Sequence, residues 1–197
     1  PHARGEIQID GENILGRSVS DAIHSGVAFV PESRELDGLI SAFSISENLI
    51  LDVFDKAPYG KKLAMFPSVV RDEAEKRIKE FDIRTQSVTD PVSSLSGGNK
   101  QKVVLARELS RPVKVVVASQ PTRGLDVGSI EFVHERMIAE RDAGRGVLLF
   151  STELDEVFAL ADRIAVMYKG EIIDIVPASI SRSELGLLMA GVKQVNA

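Results

Sequence analysis

The stretch Val115–Asp126, VVVASQPTRGLD, decides the fold. An apolar, mostly β-branched run breaks into a polar turn at Ser119-Gln120-Pro121, which reads as a buried strand meeting a loop. A strand of this kind often ends in a pair of carboxylates that hold a metal and a water. Ser119 and Gln120 occupy those two positions here, and neither side chain ionises.

Outward from that strand, β and α signals alternate. Towards the C-terminus come a helix over Ile130–Arg141, a strand over Val147–Phe150 and a helix over Leu154–Leu160. Strands over Ile164–Met167 and Ile172–Val176 flank a Lys169-Gly170 turn. Ser181 and Glu184 have capping-box spacing for a last helix that stops near Gly191. Towards the N-terminus, a helix from Gly97 offers Val104, Leu105 and Leu109 for burial, and Val70, Ala74, Ile78 and Phe81 recur at helical spacing. From Ser46 a helical pattern places Leu49, Ile50 and Val53 on one side. The stretches 32–38, 56–67 and 85–94 read as loops or linker. Val27–Val30 reads as another buried strand, and Glu6–Ile9 as a hairpin strand meeting an Asp10-Gly11 turn. The pattern predicts an α/β fold with parallel central strands. The segment from about 38 to 94 forms a mainly helical subdomain, and residues 95–197 complete the core.

Bulk properties narrow the classes. With 197 residues, 44% hydrophobic and 27% charged, the chain is an ordinary globular domain. A net charge of −5 argues against nonspecific nucleic-acid binding. The absence of cysteine excludes disulfides and thiolate metal sites. No apolar run is long enough to span a bilayer, and the first residues are not a signal peptide.

Leu95-Ser96-Gly97-Gly98-Asn99-Lys100-Gln101-Lys102 is the strongest single motif. Ser96 caps a helix, two glycines let an anion approach the backbone, and the free N–H groups, the helix dipole and Lys100 favour a phosphate. Taken alone, Ser-Gly-Gly is equally a capped helix after a turn, and Lys100, Gln101 and Lys102 are equally solvated helix residues.

The order of motifs, LSGGNKQK, then VVVASQ, then PTRGLD, then STELDE, resembles the ATP-binding cassette (ABC) ATPases over nearly the whole chain. The resemblance places Leu95–Gln101 at the family's signature motif, Ser119 and Gln120 at Walker B, Gly124-Leu125-Asp126 at the D-loop, Glu32 at the Q-loop and Thr152 at the switch histidine. It implies a P-loop NTPase-like core of mostly parallel sheet with flanking helices, using ATP and Mg²⁺ in the complete protein. LSGGNKQK, PTRGLDVG, the Glu-containing Q-loop and Leu185–Gly191 resemble the second cassette of fused two-cassette subunits that power sugar and nucleoside importers. The Ala-Ser-Gln ending is closer to the nucleoside type. The partners so implied are a first cassette of the same or a partner chain, transmembrane permease subunits and, indirectly, a solute-binding protein. The implied location is peripheral, on the cytoplasmic face of the membrane.

The chain departs from this family in one large respect. A phosphate-binding loop needs G-x-x-x-x-G-K-[ST]. At the sole Gly-Lys pair, Gly60-Lys61, Asp55 replaces the first glycine and Lys62 follows instead of Ser or Thr. Pro1–Ile7 resembles the segment just after a P-loop helix, so a strand–loop–helix unit is expected upstream of Pro1. Its loss predicts unpaired sheet edges, met by rearrangement, edge pairing or low stability.

In the family, cassettes pair head to tail, so Ser96-Gly97-Gly98 would complete the partner's ATP site, while Ser119, Gln120 and Thr152 would line the cassette's own. Ser119 brings no negative charge to a cation. Gln120 orients a water but cannot take its proton. No metal ligand is assigned. Thr152 has N-cap spacing to Asp155 as its simpler reading. His2, His24 and His134 lie away from the switch position, His134 on a polar helix side. Asp126 is a helix cap compatible with D-loop contacts, Arg123 and Gly124 are turn residues, and Glu32 is either a coupling residue or an exposed acid. Two alternatives stay open: a noncatalytic interaction module docking through Gly38–Pro91, and a cassette of a soluble ABC protein in translation or DNA repair.

Overall fold

The computed structural model describes residues 3–61 and 64–192, so His2 and Lys62 lie outside the described residues. The chain divides into two compact units, residues 1–150 and 151–197.

The first unit opens with a hairpin, β1 (Gln8–Ile9) and β2 (Glu12–Asn13). Its turn holds Asp10 at φ +50° and Gly11 at φ +82°, the left-handed pair that an Asp-Gly turn supplies. A short helix α1 (Val19–His24) follows, with a Ser18–Asp21 capping box. Three strands, β3 (Val27–Val30), β6 (Val115–Ser119) and β7 (Gly146–Phe150), form a parallel sheet in that order, as the alternation predicts. Between β3 and β6 the chain runs through α2 (Ile45–Leu49), the hairpin β4 (Gly60–Lys61) and β5 (Ala64–Met65), α3 (Pro67–Glu80) and α4 (Gly97–Leu109). Helix α5 (Val127–Asp142) leads from β6 to β7.

Period-two alternation gives the sheet two unlike faces. Ala28, Val30, Val116 and Ala118 are wholly buried on one. On the other, Phe29 stands opposite Val117 and Val117 opposite Leu148, yet Phe29, Leu148 and Phe150 keep 50%, 51% and 46% of their surface exposed. The outer edges of β3 and β7 carry no further strand among the described residues.

Two segments differ from their reading as loops. The segment 56–67 contains the β4–β5 hairpin. The polar stretch 32–38 folds into one wide helical turn, Arg34–Gly38, because the Ser33 carbonyl accepts from the N–H groups of both Asp37 and Gly38, at 2.9 and 3.1 Å.

In the second unit, β8 (Arg163–Tyr168) and β9 (Glu171–Pro177) form an antiparallel hairpin, turned by Lys169 at φ +47° and Gly170 at φ +87°. Helices α6 (Leu154–Leu160) and α7 (Arg182–Met189) complete it. Ile164, Val166, Leu185 and Leu188 form its core, and the Ser181–Glu184 capping box starts α7 as expected.

Candidate functional site

Helix α4 starts the site. Ser96 is its N-cap, exposed, with its side chain accepting from the Asn99 N–H. Beyond the first turn the helix is buried all round, from Gln101 to Glu108. Lys102, Arg107 and Glu108 are therefore held by specific partners rather than by water. Gln101 is 2% exposed and Lys102 8% exposed, so the reading of both as solvated helix residues is corrected. Lys102 Nζ donates to the Asp82 carboxylate at 2.7 Å and to the Asp82 carbonyl at 2.8 Å. That hydrogen bond and the Lys102 charge hold the Asp82 carboxyl below the usual carboxylate range. Leu95 is also buried. The surface that the motif offers to a ligand thus narrows to Ser96 with the partly exposed Gly97, Asn99 and Lys100.

The two glycines serve packing. A Cβ on Gly98 would lie 2.0 Å from Ser129 Oγ and 3.2 Å from Asp126 Oδ2, and one on Gly97 would lie 2.9 Å from an Arg34 guanidinium nitrogen. Gly98 therefore lets α4 meet the start of α5 closely. Gly98→Ala is expected to cost about 1–3 kcal/mol by overpacking. Urea denaturation should show that loss, with partial recovery in the Gly98→Ala/Ser129→Gly double variant. An unchanged midpoint for Gly98→Ala would remove this account of the glycine.

Asp126 caps α5, accepting from the Ser129 N–H at 2.9 Å and the Ser129 hydroxyl at 2.8 Å. The Ser129 hydroxyl, then its N–H, hold the carboxyl below the ordinary range, so Asp126 is ionised where the two helices meet. Leu125 N–H closes the preceding turn on the Thr122 carbonyl at 3.1 Å, and Gly124 takes φ +69° in that turn.

The turn Arg34–Gly38 is fastened to both motifs. Glu35 pairs with Lys100 at 2.8 Å, Glu32 pairs with Arg123, and Arg34 donates to the Arg123 carbonyl at 3.1 Å. Lys100 is therefore not a free cation awaiting a phosphate, and Glu32 is an exposed acid that carries an ion-pair partner. Sequence reading passed over Arg34 and Glu35. Their signal was the alternation of Glu and Arg after a strand, opposite the Lys and Arg of two later loops.

A second set of residues missed in the sequence lies beneath this turn. Glu108 accepts from the Phe29 N–H at 3.1 Å, Arg107 Nε at 3.0 Å and Arg111 Nη2 at 2.8 Å. Arg107 also reaches the Gly38 carbonyl at 2.7 Å and Arg111 the Val27 carbonyl at 2.7 Å. Asp52 forms an ion pair with Arg111 at 3.0 Å, angled away from hydrogen-bond geometry. Burial first, and the Glu108 charge second, push the Asp52 carboxyl up.

At the end of β6, Ser119 and Gln120 are partly buried. Gln120 sits at φ +48°, an uncommon conformation for a non-glycine residue. Its N–H is held by the Phe150 carbonyl at 2.8 Å. Thr152 lies in the second unit. Glu153, not Thr152, is the N-cap of α6, and the Ser151 hydroxyl accepts from the Glu153 N–H at 3.0 Å, so the capping role read for Thr152 is corrected. His134 is partly buried, and His24 contacts Lys56.

The structure thus gathers Glu32, Lys100, Arg123 and Asp126 around the start of α4. Comparison with known proteins adds three findings. A family model described as ABC transporter matches residues 1–123. The guanosine import ATP-binding protein NupO of Bacillus subtilis is 42% identical over 98% of this chain and 38% of that protein. The nucleoside import ATP-binding protein NupA of Lactococcus lactis is 40% identical over 95% of this chain and 37% of its own length, and the ribose import ATP-binding protein RbsA 2 of Rubrobacter xylanophilus is 38% identical over 86% and 32%. The chain spans less than two-fifths of these relatives. Among solved structures, the ATP-binding cassette MJ0796, a dimer bound to ADP and Pi, superposes with TM-score 0.72 at 21% identity, covering 90% of this chain and 75% of the other.

Proposed function

Because the chain belongs to the ABC transporter family, we propose that it is the second nucleotide-binding cassette of an importer subunit, coupling ATP binding and hydrolysis to uptake of a nucleoside or simple sugar. The observation that carries this reading is the asymmetry of its two chemical surfaces. The start of α4 keeps an exposed hydroxyl donor at a helix N-terminus, suited to an anionic phosphate oxygen. The end of β6 carries only Ser119 and Gln120. The signature surface completes the nucleotide site of a partner cassette, and the chain's own site binds nucleotide without efficient hydrolysis.

ATP and Mg²⁺ are used by the family in general. The residues at the end of β6 do not fit a resident Mg²⁺, which wants carboxylate oxygens. Among the described residues no group of three or more His, Cys, Asp or Glu side chains is placed to hold an ion. The P-loop, on this reading, is supplied by residues outside this sequence. The half-exposed apolar row of Phe29, Leu148 and Phe150 and the open edge of β7 support a further strand and helix there.

The remaining partners are permease subunits, with the cassette peripheral on the cytoplasmic face of the membrane. No helix among the described residues is long and apolar enough to cross one. An interaction role is favoured by a cleft of about 360 Å³ beside the Arg34–Gly38 turn, lined by Leu36, Leu39, Ile40 and Leu51 over the charged floor of Asp52 and Arg107. Leu36 is 84% exposed at its rim, and a permease segment docking there would make the cassette and interaction readings one.

The test is hydrolysis by the full-length two-cassette protein. Ser96→Ala is expected to lower kcat by about 10²-fold, as loss of one transition-state donor does. Gln120→Ala should leave the rate nearly unchanged. A rate abolished by Gln120→Ala but insensitive to Ser96→Ala would overturn the assignment of the two surfaces.

A further inference from the structure

Among the described residues four α-helices are capped by serine, and the direction of the hydroxyl's hydrogen bond separates one of these four from the rest. Ser18, Ser44 and Ser181 each donate their hydroxyl proton to the acid three residues on, to Asp21 at 2.7 Å, Glu47 at 2.6 Å and Glu184 at 2.7 Å. In these capping boxes the proton is consumed within the helix. At α4 the third residue is Asn99, and the direction reverses. Ser96 Oγ accepts from the Asn99 N–H at 3.4 Å and from Asn99 Nδ2 at 3.0 Å.

The orientation of that amide is fixed by a third group. The Arg84 backbone N–H donates to Asn99 Oδ1 at 2.8 Å. A backbone N–H only donates, so turning the amide would set two donors against each other. Nδ2 must therefore face Ser96. The anchor is itself held, since Asp82, two residues before Arg84, is bonded twice by Lys102 from the same helix. A hydroxyl has two acceptor lone pairs and one proton. Asn99 fills both acceptor directions at Ser96 and cannot take the proton. No acceptor among the described residues takes it either, and Ser96 is exposed. The only direction left for the O–H is outward.

We infer that Asn99 is a positioning residue that holds the Ser96 hydroxyl as an outward-facing donor for an anionic oxygen, the terminal phosphate of a nucleotide carried by the partner cassette. The inference rests on the reading that Ser96 completes that site. It also explains why this helix lacks the acidic third residue of the other three. An acid there would draw the proton back into the cap.

The experiment is a cycle in the full-length two-cassette protein, with Ser96→Ala, Asn99→Ala, the double variant and Asn99→Asp, reading kcat and KM for ATP together with Tm. Asn99→Ala is expected to lower kcat about five- to tenfold, the worth of one oriented hydrogen bond, with KM little changed. In the Ser96→Ala background the same change should have no further effect. Asn99→Asp, which rebuilds a capping box, should keep or raise Tm while kcat falls at least as far as in Asn99→Ala. An Asn99→Ala loss equal in both backgrounds, or an Asn99→Asp variant with full activity, would overturn the positioning role alone. An unchanged kcat for Ser96→Ala would overturn both this inference and the reading beneath it.

Discussion

Glu108→Ala should lower stability by about 3–5 kcal/mol, the scale for breaking a buried charge network on one side. Glu108 is 7% exposed, and its carboxylate is the acceptor shared by Arg107, Arg111 and the Phe29 N–H. Truncation leaves two buried guanidinium groups with Asp52 as the remaining carboxylate in the cluster. It also leaves a backbone N–H of the edge strand β3 without its partner. Glu108→Gln keeps an oxygen for one of these donors and should lose less. The measurement is the urea midpoint at constant m-value. A loss below about 1 kcal/mol would mean that neighbouring groups or water replace the carboxylate, and that the network does not fasten α4 to β3 and the Arg34–Gly38 turn.

The second large effect is a gain. In the full-length protein, Ser119→Asp with Gln120→Glu should raise hydrolysis at this cassette's own site by about 10²–10⁴-fold, the usual worth of a general base. The backbone is already set for the exchange. The Gln120 N–H is held by the Phe150 carbonyl at 2.8 Å and its φ is fixed at +48°. Glutamate matches glutamine in shape, so the change is one of charge and basicity. On the proposed reading, a Ser96→Ala background lowers the partner's site about 10²-fold, so a rise in single-turnover hydrolysis on adding both substitutions reports this site. No rise there would mean that more than two side chains separates this site from a hydrolytic one.

What the sequence by itself determined were the features whose cause is local. Asp-Gly and Lys-Gly pairs suit a left-handed turn, and two of the three hairpins, β1–β2 and β8–β9, turn where those pairs stand. A serine with an acid three residues on starts a helix, as at Ser181, and apolar runs alternating with helical periods gave the parallel strands. The motif positions were legible for the same reason, being short and ordered along the chain. The tertiary structure alone decided what those positions touch. Lys100 reads as a free cation until Glu35, 65 residues away, takes it. Gly98 reads as an opening for a phosphate until Ser129 fills the space. Gln101 and Lys102 read as solvated until α4 is seen to be buried all round beyond its first turn. A helix's periodicity records which residues share a face, but burial of polar groups requires partners supplied by distant segments, and no local pattern names them.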